Sequence, residues 1–164
     1  MLGIKDSVLF SNQRVDFEKI NILHNIADVV FNISYAEGFG LGTLEAMQCG
    51  TPIIAVETGG LTRQVVDHRD GSENGIALPV ETQTLVGSQT VPYIYEDYVS
   101  TETVANAFYK MYSMPPERRE ELGHKARAYA LSEFAHQNTI DAWHDTMINL
   151  IDNWEYKNFV METM

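Results

Sequence analysis

The sequence predicts an α/β fold in which a Rossmann-like parallel sheet is flanked by helices. Three observations lead to this prediction: short apolar segments alternate with helix-forming segments, glycine turns separate the two kinds, and helical patterning continues toward the C-terminus. This alternation favours a parallel sheet with right-handed crossovers. Ligands of such sheets bind at the carboxyl ends of the strands, and both glycine loops of this sequence fall on that edge.

The predicted elements follow one another in alternating order. The segment 28–34 is β-branched and almost entirely apolar, which is typical of a strand covered on both faces, so it is expected at the centre of the sheet. The last strand is expected at an edge, because Pro79 removes a donor from the ladder. The expected strands are 6–10, 28–34, 52–56 and 75–79, and the expected helices are 16–27, 43–49 and 61–67.

The segment that follows the last strand departs from this alternation. Residues 80–100 are polar, contain Gly87 and are long for a connection, so they are interpreted as an inserted loop. Ser100 or Thr101 can then cap a helix. The proline pair at 115–116 ends that helix and begins the next one.

The C-terminal part is predicted to be helical. Between Ile140 and Trp154 the apolar residues step by three and four, and such a stripe is expected to cover another surface. The sequence therefore predicts a partial Rossmann-like domain over residues 1–114, with the inserted loop 80–100. Helices over 115–164 are expected to pack on that domain.

Composition and charge exclude several functional classes. With 164 residues and 45% hydrophobic residues, the chain is long and apolar enough for one ordinary folded domain. Its net charge of −12 opposes nucleic-acid binding. No segment approaches about 18 consecutive apolar residues, so no transmembrane segment is expected. The single cysteine, Cys49, allows no internal disulfide, which fits a cytoplasmic protein.

No metal site or cofactor is expected. Cys49 has no partner cysteine and is interpreted as a buried, inert thiol. The histidines show none of the spacings that hold zinc on a helix. They are His24, His68, His124, His136 and His144.

The glycine loop between the second strand and its helix is the candidate site. Gly38, Gly40 and Gly42 have no Cβ atoms, so an anion can approach the main-chain N–H groups of residues 39–43 at a helix N-terminus. The same glycines would serve a tight turn needed only for helix–strand packing. The loop alone therefore leaves both interpretations open.

Two glutamates flank this loop. Glu37 precedes it and Glu45 lies about one turn into the helix. Carboxylates accept hydrogen bonds from vicinal hydroxyls while amides hold phosphates, and a sugar nucleotide has both groups. Taken alone, Glu45 could equally compensate the helix dipole. The pair together favours a sugar nucleotide.

Residues 34–47, SYAEGFGLGTLEAM, resemble the E-x7-E motif of the retaining GT-B glycosyltransferases of group 1, or family 4, with Glu37 and Glu45 at the two glutamate positions. The resemblance covers roughly residues 5–80. It implies the C-terminal, donor-binding domain of a GT-B fold and a nucleotide-sugar donor without a required metal. Three further segments continue the likeness, namely 50–54, 58–61 and 74–78.

The resemblance also implies roles for individual residues. Glu37 would act in catalysis by contacting hydroxyls of the donor sugar, and Glu45 would contact the ribose. The main chain of the glycine loop and the Thr43 hydroxyl would hold the diphosphate, and the end of the first strand would line the nucleobase pocket. The implied donor-binding set is Gly38, Phe39, Gly40, Leu41, Thr43, Glu45, Asn12 and Gln13.

The chain departs from the family pattern in what it lacks. The family has two Rossmann-like domains with catalysis between them, and this chain has at most one. If the family's strand order 3-2-1-4-5-6 applies, segment 6–10 takes position three, the later strands take positions four to six, and two interior strands are missing. We therefore expect a fragment, inactive alone, whose sheet re-pairs, binds a missing N-terminal domain or another chain, or forms a homo-oligomer.

Two alternatives remain open at this point. A dinucleotide-binding oxidoreductase domain would use Gly38-x-Gly40 and the acid Glu57, 19 residues after Gly38, although Thr43 stands where the fingerprint has its third glycine. A catalytically silent assembly module would explain the missing halves. The nucleobase, the sugar and the acceptor are not readable from this sequence.

Overall fold

The structure is a computed structural model that describes residues 3–155. It has an α/β fold with a three-stranded parallel sheet in the order β1-β2-β3, which confirms the predicted fold class. The elements are a 3-10 helix at Lys5–Ser7, α1 at Phe17–Ile26, β1 at Val30–Asn32, α2 at Leu41–Cys49, β2 at Ile53–Val56, α3 at Leu61–Val65, β3 at Gly75–Leu78, β4 at Thr82–Val86, β5 at Ile94–Tyr98, α4 at Thr101–Ser113, α5 at Pro116–Glu133 and α6 at His136–Asp152.

The central strand of the sheet is β2. Its first residue, Ile53, pairs with Val30 of β1 on one side and with Gly75 of β3 on the other. The prediction that segment 28–34 forms the centre is wrong, because within residues 3–155 no strand pairs with the other side of β1. The predicted strand at 6–10 is also wrong. Phe10 is 88% exposed there, since an isolated apolar segment with no neighbouring strand has no ladder to join.

The core lies on both faces of the sheet because the side chains of β2 alternate. Ile53 packs into a cluster with α2, α3 and α5, whereas Ile54 packs into a second cluster with α4. The helix α5 approaches the end of α2 closely. A Cβ on Gly123 would stand 2.0 Å from the carbonyl oxygen of Gly50, so this contact requires a glycine.

Residues 80–100, expected as an inserted loop, instead form an antiparallel hairpin of β4 and β5, in register from Thr82 opposite Tyr98 to Val86 opposite Ile94. Its threonines, tyrosines and isoleucine are strong strand formers. The hairpin is tied to the carboxyl edge of the sheet. The N–H of Asp97 donates to the Tyr35 carbonyl at 2.6 Å.

The C-terminal helices begin as the sequence predicts. Ser100 caps α4 by accepting a hydrogen bond from the N–H of Thr103, and Pro116 stands in the first turn of α5. The helix α6 buries no residue, and Trp143 and Ile151 are 62% and 72% exposed. Its apolar stripe therefore does not cover another surface within residues 3–155. None of the described helices is long and apolar enough to cross a membrane.

Candidate functional site

The two glycine turns meet at the carboxyl edge of the sheet, after β1 and after β2. The N–H of Gly60 donates to the Gly38 carbonyl at 3.1 Å. Gly59 has a φ of +48°, and a Cβ there would lie 1.7 Å from the carbonyl oxygen of Glu37. The second turn is thus a backbone support for the first.

Three consecutive carbonyls of the first loop accept hydrogen bonds from the protein. The pairs are Gly60 N to Gly38 O at 3.1 Å, Gln64 Nε2 to Phe39 O at 2.6 Å, and Leu44 N to Gly40 O at 3.2 Å. In a trans peptide the C=O and the following N–H point in opposite directions, and the chain has no cis peptide among its described residues. The N–H groups of Phe39, Gly40 and Leu41 therefore point away from the groups that bind the carbonyls.

These N–H groups have no acceptor in the part of the chain that the structure describes. Neither a carbonyl nor a side chain there accepts from the main-chain N–H of residues 38–43. Gly40 is the N-cap of α2 with a left-handed φ of 87°, and no side chain caps the helix. Phe39 and Leu41 are exposed, while Gly40 is buried between them. The N-terminus of α2 is open to an anion through main-chain donors.

Glu37 is oriented by the end of β1. Its Oε2 accepts from Asn32 Nδ2 at 3.2 Å, and Asn32 Oδ1 in turn accepts from the N–H and hydroxyl of Ser34 at 2.9 and 2.6 Å. The carboxylate is half-buried beside the open amides. Asn32 was not predicted as a site residue, although a polar residue late in an apolar strand is a signal that its side chain orients a neighbouring group.

Glu45 has different surroundings. It faces α1, where its Oε2 lies 3.6 Å from His24 Nε2, too long for a hydrogen bond but within reach of an ion pair. It lines a cavity of about 470 Å³ between α1 and α2, together with Asn21 and Gln48. His24 Nε2 is buried without a hydrogen-bond partner among the described residues. No hydrogen bond joins the two glutamates; each has its own set of neighbours.

The Thr43 hydroxyl belongs to the scaffold. The side chain is buried, with Oγ1 2.5 Å from Gln64 Oε1 and 2.8 Å from the Gly40 carbonyl oxygen. A hydroxyl committed to protein acceptors in the interior is not presented to a ligand. The role of Thr43 as a side-chain phosphate ligand stays a prediction, while its main-chain N–H has no acceptor among the described residues.

Asn12 and Gln13 do not end a strand. They are exposed and lie in the irregular segment 8–16, because the strand expected at 6–10 does not form. Within the described residues no hydrogen bond joins either side chain to residues 37–43. The structure therefore does not bring these two residues to the glycine loop.

The hairpin contacts the loops that carry the site. The ring of Tyr98 stacks on Tyr35, two residues before Glu37, at a centroid distance of 4.5 Å. The side chains of Thr58 and Gln83 hydrogen bond to the Asp97 carboxylate and lower its pKa, in that order of effect. These contacts fix the hairpin against both turns. No pattern in residues 80–100 indicates that this hairpin reaches the carboxyl edge of the sheet.

A charged cluster attaches the segment that follows α3 to the helix α5. The Arg69 guanidinium donates to both oxygens of the buried Asp67 carboxylate and lies 4.9 Å from the centre of the Tyr129 ring. These hydrogen bonds lower the pKa of Asp67 from its ordinary 3.8 to about 2. The cluster is an ion-paired support.

In residues 3–155 no group of three His, Cys, Asp or Glu side chains could hold a metal ion.

Fold and site together define the class of protein: an α/β protein with a Rossmann-like parallel sheet and open main-chain amides at its carboxyl edge. Within this class, residues 1–86 match the family Glycosyl transferases group 1. That match spans more than half of the chain. The chain belongs to the group 1 glycosyltransferase family.

Individual relatives agree with this assignment. A D-inositol 3-phosphate glycosyltransferase of Gordonia bronchialis is 32% identical over 86% of this chain and 25% of its own length. One of Stackebrandtia nassauensis is 46% identical over 43% of this chain and 16% of its own length. Sucrose-phosphate synthase from Thermosynechococcus elongatus superposes with a TM-score of 0.70 and 26% identity, over 91% of this chain and 31% of that one. The chain thus spans a quarter or less of these two curated relatives.

Proposed function

We propose that this chain is the donor-binding part of a retaining glycosyltransferase that moves a sugar from a nucleoside diphosphate to an acceptor. The observation that carries the proposal is the inward bonding of three consecutive carbonyls, which turns the N–H groups of Phe39, Gly40 and Leu41 away from the protein groups that bind those carbonyls and leaves them without an acceptor among the described residues. Donors held in advance where charge develops on the leaving diphosphate stabilise the transition state. Membership of the glycosyltransferase family supports the reaction class.

The two glutamates would divide the rest of the donor between them. Glu37, held by Asn32 beside the amides, would accept hydrogen bonds from hydroxyls of the donor sugar. Glu45 would accept them from the ribose, and the cavity beside it leaves room for part of the nucleotide. No metal is required in this scheme, because main-chain donors and the helix dipole face the diphosphate.

The nucleobase role of Asn12 and Gln13 remains a prediction that depends on a strand forming at residues 6–10, at whose end these two residues would lie. Such a strand requires a neighbouring strand to pair with. The proposal therefore includes a partner, either an N-terminal domain or another copy of the chain, and no turnover by this chain alone, since donor and acceptor must be held together. A cytoplasmic location is part of the same proposal and rests on the single cysteine.

The test is a titration of the 15N-labelled chain with UDP, GDP, ADP and their sugars, and separately with NAD. We expect binding in the roughly millimolar to high-micromolar range, with the amide signals of residues 39–41 shifting most. Replacing Glu45→Ala is expected to weaken binding of the preferred nucleotide about tenfold, since it removes an acceptor for the ribose.

The matched control is Glu57→Ala, which removes the acid that only the dinucleotide interpretation needs. Under our proposal this variant binds nucleoside diphosphates like the wild type. Binding of NAD alone, lost in Glu57→Ala, would establish the oxidoreductase alternative. Shifts confined to residues far from the loop, or none with any nucleotide, would contradict the proposal.

A further inference from the structure

Gln64 is a polar side chain of α3 with no exposed surface, placed directly beneath the glycine loop. Its Nε2 donates to the Phe39 carbonyl at 2.6 Å, and its Oε1 lies 2.5 Å from Thr43 Oγ1. Burying an amide is unfavourable unless its polar atoms find partners, and here both ends of the amide have one. Gln64 thus joins α3 to the chain on both sides of Gly40.

The neighbours of this amide fix its orientation. The Phe39 carbonyl can only accept, so it must face Nε2, and Thr43 can donate its hydroxyl hydrogen to Oε1. The nearby Gly40 carbonyl also accepts from the N–H of Leu44 and does not depend on Thr43. Among the described residues, Gln64 is the donor to the Phe39 carbonyl.

The Phe39 carbonyl and the Gly40 N–H belong to the same peptide group and point in opposite directions, so whatever holds the carbonyl also orients the N–H. Gly40 has a left-handed φ of 87°, and a Cβ there would stand 2.4 Å from Leu61 Cδ2, so the position requires glycine. Because glycine has few steric restraints, the plane between Phe39 and Gly40 is easily rotated unless something holds it. The hydrogen bond from Gln64 is that restraint, and it keeps the Gly40 N–H turned away from α3.

On this basis, and resting on the proposed function, we propose that Gln64 is a positioning residue for diphosphate binding. It touches no ligand. By binding the Phe39 carbonyl it holds the Gly40 N–H on the side away from α3, next to the N–H groups of Phe39 and Leu41, so that adjacent donors can bind the same anion. Loss of the Gln64 donor releases this peptide plane, and the donors no longer converge.

The first test replaces Gln64→Met, a neutral side chain of similar length without a donor. The full 15N-labelled chain is titrated with inorganic pyrophosphate and with UDP while the amide signals of residues 38–43 are followed. Binding of both is expected to weaken about tenfold, the effect of one lost or misdirected hydrogen bond to a charged group. Gln89→Met, at the exposed tip of the hairpin, is the matched control and binds like the wild type.

The second variant, Gln64→Glu, separates positioning from packing. It keeps an oxygen for Thr43 and has a donor for the Phe39 carbonyl only when the carboxyl is protonated. No titratable side chain of the described residues is hydrogen-bonded to the Gln64 amide. Comparison with the wild type at each pH removes the titration of the ligand phosphates, so the remaining pH response belongs to the introduced carboxyl. As pH falls from about 8 to about 5.5, the affinity of Gln64→Glu for pyrophosphate and UDP, relative to the wild type at the same pH, is expected to rise.

The variant Gln64→Met gains no affinity over that range, and Gln89→Glu controls for the added charge. If Gln64→Met binds like the wild type, or Gln64→Glu stays weak at every pH, the inference is wrong while the proposed function stands. If the wild type itself shows no shift at residues 38–43, the proposed function fails and this inference with it. Should Gln64→Met not fold, as its 15N spectrum would reveal, the pH response of Gln64→Glu decides.

Discussion

The turns at the carboxyl edge and the helix α6 are built from equally clear sequence patterns, yet only the turns are packed. Gly59 and Gly60 lie against the backbone of residues 37–39 so closely that neither tolerates a Cβ. By contrast, α6 has a complete apolar stripe and buries no residue. A local pattern specifies an element, but burial also requires an opposing surface, which the described residues supply for the turns and not for α6.

The largest effect expected from this contrast is at Gly59. The variant Gly59→Ala would place a Cβ 1.7 Å from the Glu37 carbonyl oxygen and force the two turns apart. We expect the free energy of unfolding in urea to fall by about 4 kcal/mol, in the range of severe backbone collisions.

The matched control for that variant is Gly71→Ala. Gly71 also has a positive φ, +75°, but its Cβ would meet nothing within 4 Å. Gly71→Ala therefore introduces backbone strain alone, and we expect its free energy of unfolding to fall by about 1 kcal/mol. Equal losses in the two variants would show that the turns are not in contact in solution.

The next effect compares two isoleucines with the same substitution. Ile53 of β2 is fully buried, so Ile53→Ala is expected to lower the free energy of unfolding by about 3 kcal/mol. Ile151 of α6 is exposed, so Ile151→Ala is expected to change it by less than about 0.5 kcal/mol. Urea denaturation followed by circular dichroism measures both.

This comparison also tests the expected self-association. A loss of more than about 1 kcal/mol in Ile151→Ala would mean that another surface covers α6 in solution. That loss would then grow with protein concentration, because an interface between copies stabilises the folded chain by mass action.

The smallest effect concerns the support behind the turns and depends on pH. The pKa of Asp67 is lowered in the folded chain to about 2, from an ordinary 3.8, chiefly by the hydrogen bonds from Arg69. A lowered carboxyl pKa stabilises the fold above the unfolded value, and this stabilisation is lost as pH falls from about 4 to about 2. We therefore expect the advantage of the wild type over Asp67→Asn in urea midpoints to disappear over that range.

The control for this prediction is Asp152→Asn, which makes the same charge change on the exposed α6. Its stability is expected to follow the wild type across the acid range. A constant gap between the wild type and Asp67→Asn down to about pH 2 would show that the carboxylate contributes through packing rather than through its ionisation.

Much of the fold was predictable because the information is local. Residues 53–56 and 75–78 are short apolar strands between glycine turns, and the caps at Ser100 and Pro116 follow from residue chemistry alone. The order of the three strands agrees with the family's order. The strand at 6–10 failed because strand formation depends on a neighbour, which no property of residues 6–10 reports.

The candidate site divides in the same way. The main chain of residues 38–43 was predicted as an anion site from its glycines, and in the structure those N–H groups have no acceptor among the described residues. The buried hydrogen bonds of the Thr43 hydroxyl were not predicted, and Gln64 and Asn32 were not identified, because the sequence does not show which way a polar side chain points. Likewise, the hairpin reaches Tyr35 through contacts between distant segments.

The inward bonding of the loop's carbonyls has a consequence for how this surface can change over time. Its polar groups belong to the peptide backbone, so an exposed position such as Leu41 can exchange its side chain without removing any of them. The residues that cannot be exchanged freely are instead the buried ones beneath the loop, on other segments of the chain, which bind its carbonyls. Divergence among descendants of this protein should therefore be visible on the outside of the loop and slow in the layer below it.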